Sequence, residues 1–389
     1  MLSLSEFAAH SYHEKTEPRF ESAGGTYTVI GVGRYSIGAY IATASLADVS
    51  GEWLMAEVSG AAYGPGTRAM ALILFYDSEG KKLQSDFLAG KDGRYTAHVK
   101  IPAGAVRVDF ELIGCCFGGR VSFCEPRITE ASPKAGRSFV VASAFIKREG
   151  SVEANMAEVL SLIDKAGADP DKPDLLCFTE SVYDLAAGGN RYIPDDHPDV
   201  LRVRRAAKKN GLYVLFTFHE DAEYRYNTAM MIDREGEVVG KYRKMQPTLG
   251  ELRLGIAPGG DIPVFDLPFA RIGVLICWDQ YFYETSRALV KRGAEVILWP
   301  SRGYHEERML TRARDNGVYC VSCHPLPDRC CITDGMGWNI LARGEGESGY
   351  VSARINTDER LVSEYKSFGL LGGNDKDIYL NEVRTDFYL

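Results

Sequence analysis

Three residues in the second half of this 389-residue chain have the types that acyl transfer needs. Glu180 ends the run DLLCFTE, Lys244 ends VVGKYRK, and Cys277 ends RIGVLIC. Each closes an apolar stretch of strand length, and in open α/β sheets ligands bind beyond the carboxyl ends of the strands. A cysteine attacks as thiolate but is mostly protonated at neutral pH, so it needs a neighbouring base or cation. Glu180 and Lys244 offer one of each. The oxyanion formed at an attacked carbonyl or nitrile also needs a fixed donor, a role open to the Lys244 ammonium and the backbone N–H of Trp278. The chemistry implied is acyl transfer through a thioester. Taken singly, each residue has an ordinary structural use: a buried cysteine packs as a small hydrophobe, a glutamate caps a helix, and a lysine is solvated. Tyr281, Arg302 and Tyr304 follow strand ends in the same half and are read as lining the substrate pocket.

The elements that must position these residues follow from the hydrophobic rhythm. From Ser138 onward, strands alternate with helices: SFVVASAFIK, DLLCFT, LYVLFTF, NTAMMID, RIGVLIC, EVILWP and YCVSC read as strands, with helices around 198–210, 283–293 and 305–317. Ser151 is read as the N-cap of a helix whose apolar positions include Met156, Val159, Leu160 and Ile163. This is an α/β layered domain. Before it, residues 25–129 form short alternating strands with turns, the pattern of an antiparallel β-sandwich. Ser78-Glu79-Gly80 is the expected hairpin turn between two of them. ASPKAGR, residues 131–137, is the linker, which sets the domains at 1–135 and 138–389, the second carrying the C-terminal tail.

The stretches around the three residues resemble the nitrilase superfamily of carbon-nitrogen hydrolases. The matching strings are PDLLCFTE, YNTAMMIDREGEVVGKYRKM, TLGELRLGIAPGGDIPVFDLPFARIGVLICWDQ, RGAEVILWPS and RARDNGVYCVS, in family order over roughly 138–360. The resemblance implies an αββα sandwich, with Cys277 as nucleophile, Glu180 as general acid/base and Lys244 as stabiliser of the tetrahedral intermediate. It also implies that Glu251, in TLGE, is a second glutamate that helps to position substrate and base. Where true nitrilases tend to have Cys-Trp-Glu, this chain has Cys277-Trp278-Asp279, which is similar to the amidase and N-carbamoyl amidohydrolase branch. Met245-Gln246 and the loop around Glu251 depart from the usual pattern, so reaction type carries over and substrate identity does not. The expected activity is hydrolysis of a non-peptide C–N bond in a small amide or N-carbamoyl compound. Nitrile hydrolysis, or a non-catalytic binding protein that kept the hydrolase fold, are the alternatives.

Composition narrows the partners. Lys plus Arg number 45 against 53 Asp plus Glu, a net charge of −8 without a basic stripe, so neither nucleic acid nor an anionic membrane surface is expected as a partner. Apolar runs such as AMALILFY are far below the ~18 residues of a membrane span. The polar start, MLSLSEFAAHSYHEKTEP, lacks the ~7–15-residue apolar core of a secretory signal. With nine cysteines, an odd number, this suggests reduced thiols and a cytoplasmic location. CVSCH matches a haem-attachment spacing and Cys330-Cys331 invites a zinc reading, but Cys320 and Cys323 on one strand point to opposite faces. The seven histidines form no HExxH, and Gly259-Gly260 lacks phosphate-loop spacing, so no metal or other cofactor is expected. The amino-terminal sandwich loosely resembles jelly-roll modules of carbohydrate-active enzymes. Tyr27, Tyr40, Tyr63, Phe75 and Phe87 could form a stacking face for a carbohydrate or other ligand, although aromatics on strands more often pack in the core or as cross-strand pairs. A homodimer is expected from the resemblance and from apolar residues of the tail, Leu370, Leu371, Ile378, Tyr379, Leu380, Phe387, Tyr388 and Leu389.

Overall fold

The computed structural model describes the chain apart from residues 117, 134–135, 147–149, 185–188, 360–361, 366–368 and 373–389. Two compact units emerge: Met1–Ala135 with Arg360–Leu389, and Gly136–Glu359.

The first unit holds two sheets. One runs in the order Ala8–Ser11, Ser36–Ser45, Arg107–Cys116, Arg68–Tyr76, Lys82–Phe87, Gly369–Gly372 and Val362–Tyr365; the other runs Arg19–Ala23, Thr26–Ile30, Arg120–Ala131, Trp53–Tyr63, Arg94–Lys100 and Ala89–Lys91. Alternation decides which side chains go inside: Leu54, Ala56 and Val58 of one sheet meet Ala71, Ile73 and Phe75 of the other in one core. The predicted turn is present, with Gly80 at φ +81° and the Asp77 carboxylate accepting from the backbone N–H groups of Glu79 and Lys81.

Two sequence expectations are corrected here. The strands Val362–Tyr365 and Gly369–Gly372 extend a sheet of this first unit, not the hydrolase domain to which the tail was assigned. The physical reason is backbone pairing, Leu371 and Gly372 running parallel to Ser85 and Asp86 along an otherwise open sheet edge. The tail residues Ile378 to Leu389 lie outside the described residues. The five aromatics do not form one stacking face: Tyr40 and Phe75 are buried in the inter-sheet core, while Tyr63 is half exposed. Phe87 belongs instead to the opposite face of its sheet, with Met70, Leu72, Leu74 and Ile113. That face bounds a cavity of about 520 Å³ rimmed by Tyr12, Tyr76, Arg68, Lys82 and Glu111.

The second unit is an αββα sandwich. Its first sheet runs Val238–Arg243, Arg225–Ile232, Tyr213–Asp221, Leu175–Cys177, Ser138–Phe145 and Gly349–Asn356, with Tyr192–Ile193 paired to Tyr213–Asp221. The second runs Val264–Asp266, Arg271–Val274, Val296–Pro300, Tyr319–Cys323, Cys331–Thr333 and Ile340–Arg343. Val141, Leu215, Ile272 and Leu298 are among the residues that fill the space between the sheets. Helices Val152–Ala168 and Pro198–Asn210 cover the outer face of the first sheet, and Tyr283–Lys291 and Glu306–Asn316 that of the second. Strands buried on both faces read as continuous apolar runs, which is why VILWP and YCVSC show no alternation. Ser151 caps the first helix, accepting from the Ala154 N–H at 3.1 Å. Cys320 packs in the helix layer and Cys323 between the sheets, on opposite faces of their strand.

Candidate active site

Glu180 lies three residues beyond the strand Leu175–Cys177, Lys244 directly follows Val238–Arg243, and Cys277 opens a 3-10 turn shortly after Arg271–Val274. All three strands come from the central layers, so their ends converge. Lys244, 1% exposed, is the hub. Its Nζ donates to Glu180 Oε1 at 2.9 Å and to both oxygens of Glu251, at 3.0 and 2.9 Å. Asn227 joins the two carboxylates, its Nδ2 donating to Glu180 Oε1 and to Glu251 Oε1, each at 2.9 Å. The second Glu180 oxygen accepts from the Arg302 backbone N–H at 3.1 Å.

Glu251 is held by local sequence. Thr248-Leu249-Gly250-Glu251 is a capping box: Thr248 Oγ1 accepts from the Glu251 N–H at 3.2 Å, and Glu251 Oε2 accepts from the Thr248 N–H at 2.7 Å. The short helix Leu249–Arg253 thus aims the carboxylate at Lys244. Cys277 is placed by backbone conformation, with φ at +44°, a region that non-glycine residues rarely occupy and that persists where surroundings over-determine it. Trp299 Nε1 donates to the Cys277 carbonyl at 3.2 Å, and a Cβ added to Gly303 would stand 3.9 Å from Sγ. That loop therefore passes close to the thiol, and Gly303 leaves room beside it.

The electrostatics are coherent. Burial pushes the Glu180 carboxyl up, but the Lys244 and Arg302 charges and the hydrogen bonds from Lys244 and Asn227 outweigh it, holding the group below its ordinary value. Burial alone would lower Lys244, but Glu180, Glu251 and Cys277 raise it well above the ordinary lysine range. Burial, then the Glu180 charge, pushes the Cys277 thiol up against the opposing pull of Lys244. At neutral pH the group is an ionised carboxylate, an ammonium and a protonated thiol.

The predicted pocket residues divide. Trp278 is exposed and stacks on Tyr281, with ring centroids 4.2 Å apart. Tyr281 in turn meets His305 Nε2 at 2.5 Å and carries the Arg308 guanidinium 4.0 Å above its ring. Arg302 reaches the site through its backbone. Tyr304 is engaged elsewhere, donating to Glu306 at 2.9 Å, lying 3.2 Å from Cys331 Sγ and stacking on Trp299.

Two residues of the site were not singled out from sequence. Asn227 lies in the matching string YNT, but its type suggested no chemistry. Asp279 served only to mark a branch, whereas it is fully buried and accepts from Ile276 N–H and Gln246 N–H at 2.8 Å and from Tyr242 OH at 2.7 Å. It thereby ties the segment after Lys244 to the turn that presents Cys277.

Residues 140–360 match the model of the family described as carbon-nitrogen hydrolase. The chain belongs to that family and is an enzyme of that class, a member of the nitrilase superfamily. It is similar to the N-carbamoylputrescine amidase of Solanum tuberosum, 37% identical over 217 residues that cover 47% of this chain and 72% of that protein. A nitrilase of Pyrococcus abyssi is 36% identical over 220 residues, covering 54% of this chain and 79% of that one. Among solved structures, Nit3 of Saccharomyces cerevisiae aligns at a TM-score of 0.51 with 19% identity, over 58% of this chain and 93% of that chain, a likeness of fold.

Proposed function

We propose that the protein hydrolyses the C–N bond of a small amide or N-carbamoyl compound, with Cys277 as nucleophile and Glu180, Lys244 and Glu251 as its partners. The observation that carries this reading is the buried Lys244 held between the Glu180 and Glu251 carboxylates, with the Cys277 thiol within reach of the charges of Lys244 and Glu180. Glu180, ionised, takes the proton of Cys277 as sulfur attacks the carbonyl carbon. The oxyanion is met by the Lys244 ammonium and by the Trp278 N–H at the start of its helical turn, where early N–H groups lack intrahelical acceptors. Glu180 then returns the proton to the departing nitrogen, and ammonia or an amine leaves. The thioester remains on Cys277. Water, deprotonated by Glu180, attacks it, and collapse releases the acid and restores the thiol. Glu251 keeps Lys244 and, through Asn227, Glu180 in register. Trp278, Tyr281 and Arg302 flank the substrate in this reading.

The same proposal includes a cytoplasmic location, suited by nine cysteines of which none is in a disulfide among the described residues, and a homodimer, for which light scattering at twice the mass of one chain is the check. It also includes a small ligand on the amino-terminal sandwich, where the cavity rimmed by Tyr12, Tyr76 and Glu111 offers both apolar and polar contacts.

Reaction class is tested with matched amide, ureido and nitrile versions of one acyl skeleton, following ammonia or amine release. A nitrile expels no amine at the first step, so it makes less use of a carboxylate that can return a proton. Amide or ureido turnover is expected to exceed nitrile turnover. Activity confined to the nitrile contradicts the reading.

A further inference from the structure

The stretch immediately after Glu180 makes contacts that the proposed reaction does not use. Ser181 has φ of +49°, so the chain turns sharply one residue beyond the carboxylate. Three side chains, each no more than 3% exposed, are strung together behind that turn. Ser181 Oγ lies 3.4 Å from His219 Nε2, and His219 Nδ1 lies 2.9 Å from Asp184 Oδ2. Asp184 Oδ2 also accepts from the Arg191 backbone N–H at 2.7 Å, while Oδ1 has no hydrogen-bond partner among the described residues and stands 3.9 Å from the Arg302 guanidinium.

Arg302 closes the path into a ring. Its guanidinium donates to the Ser181 carbonyl at 3.4 Å, and its backbone N–H is the donor to Glu180 Oε2. The strand Tyr213–Asp221 supplies a second tie two residues before His219, with Thr217 Oγ1 accepting from the Val182 N–H at 3.1 Å. Residues 217 and 219 share one face of that strand, so one rigid element grips the turn twice.

The residue types are those of a hydrolytic serine triad, yet Ser181 is enclosed by this ring and essentially inaccessible, which excludes attack on a substrate. What the arrangement can do is fix geometry. A buried ionisable pair costs desolvation that an apolar replacement of equal volume avoids, so filling space does not call for one. We propose that Asp184 and His219 are positioning residues for Glu180, acting through the Ser181 turn and through Arg302. His219 Nδ1–H donates to the Asp184 carboxylate, and Nε2 accepts the Ser181 hydroxyl proton. That tautomer gives both ring nitrogens of His219 and the Ser181 hydroxyl a fitting partner. Small displacements of a proton-transfer group are costly, about 10²-fold for ~1 Å.

The inference rests on Glu180 being the group that acts on Cys277, and the test separates the two claims. Alkylation of Cys277 by iodoacetamide, read on the Cys277 peptide, is measured in the full-length wild type, Glu180→Gln, His219→Ala and the double variant, alongside kcat and KM for amide turnover. His219→Ala is expected to move the alkylation rate at least about threefold toward the Glu180→Gln value, with no further change in the double variant, because coupled residues are non-additive. Its kcat should fall about 10- to 100-fold with KM within about threefold, and His219→Asn, which keeps the donor to Asp184, should recover part of the loss. A folded His219→Ala protein with wild-type alkylation and kcat, or a His219→Ala effect of undiminished size on the Glu180→Gln background, overturns the positioning role. A Glu180→Gln rate equal to wild type overturns the underlying reading of Glu180 instead. Should His219→Ala fail to fold, Asp184→Asn, which keeps volume and a hydrogen-bonding group, is judged by the same criteria.

Discussion

Lys244 shows how one side chain can be both functional and structural. It is buried between Glu180 and Glu251, and its ammonium contributes most, ahead of Arg302 and Asn227, to holding Glu180 ionised. Lys244→Met would leave two carboxylates without their cation, and breaking a buried pair typically costs about 3–5 kcal/mol. That variant is expected to lose stability at pH 7 as well as activity, whereas Cys277→Ala should lose activity alone; thermal unfolding of the two distinguishes them. The pH dependence has a definite sign. Glu180 is depressed below its ordinary 4.5 in the fold, so its contribution to stability is present above that value and is lost as pH falls through the lower, folded pKa. An unfolding profile of Lys244→Met that kept the wild-type stability at neutral pH would contradict this account of the hub.

At the scale of elements, the site depends on Asp279 tying the segment after Lys244 to the Cys277 turn. Its carboxylate accepts three hydrogen bonds, and an asparagine would have to turn its NH₂ toward at least one of those donors. Asp279→Asn is expected to destabilise the fold by about 1–3 kcal/mol, seen as a lower Tm. Burial pushes Asp279 up to about 6, from an ordinary 3.8. Folding therefore favours its protonated form, and stability from this residue declines as pH rises from about 4 to about 6, a slope that Asp279→Asn should remove. A Tm and pH slope equal to wild type would refute the tie.

These elements also show what was legible in the sequence and what was not. The helices expected around 198–210, 283–293 and 305–317 are observed at 198–210, 283–291 and 306–316, and left-handed glycines Gly211 and Gly317 stand just past two of the ends. Glu180, Lys244 and Cys277 are legible through their strand-end positions together with the flanking strings that resemble the superfamily, since each residue alone has an ordinary structural use. Asn227 and Asp279 are not: their importance is a matter of distance across strands, and an amide or carboxylate inside a strand pattern carries no spacing signal. The Thr248-x-x-Glu251 capping box has a local signature, a threonine followed three residues later by a glutamate, that needs no tertiary information. For the sandwich aromatics, strand alternation states which residues share a face and not which face is covered, so the burial of Tyr40 and Phe75 in the core could be expected from residue type but not assigned from spacing.

At the scale of the whole molecule, every residue assigned to the chemistry lies in Gly136–Glu359, while Met1–Ala135 and the described C-terminal strands form a separate β-unit with its own core. The claim that unites the account is covalent catalysis at Cys277. Mass spectrometry of protein quenched during turnover of an amide or ureido substrate tests it most directly, read on peptides covering all nine cysteines. An acyl adduct on the Cys277 peptide, absent from the other eight thiols and absent together with turnover in Cys277→Ala, is the predicted result. Turnover that persists in Cys277→Ala would contradict it.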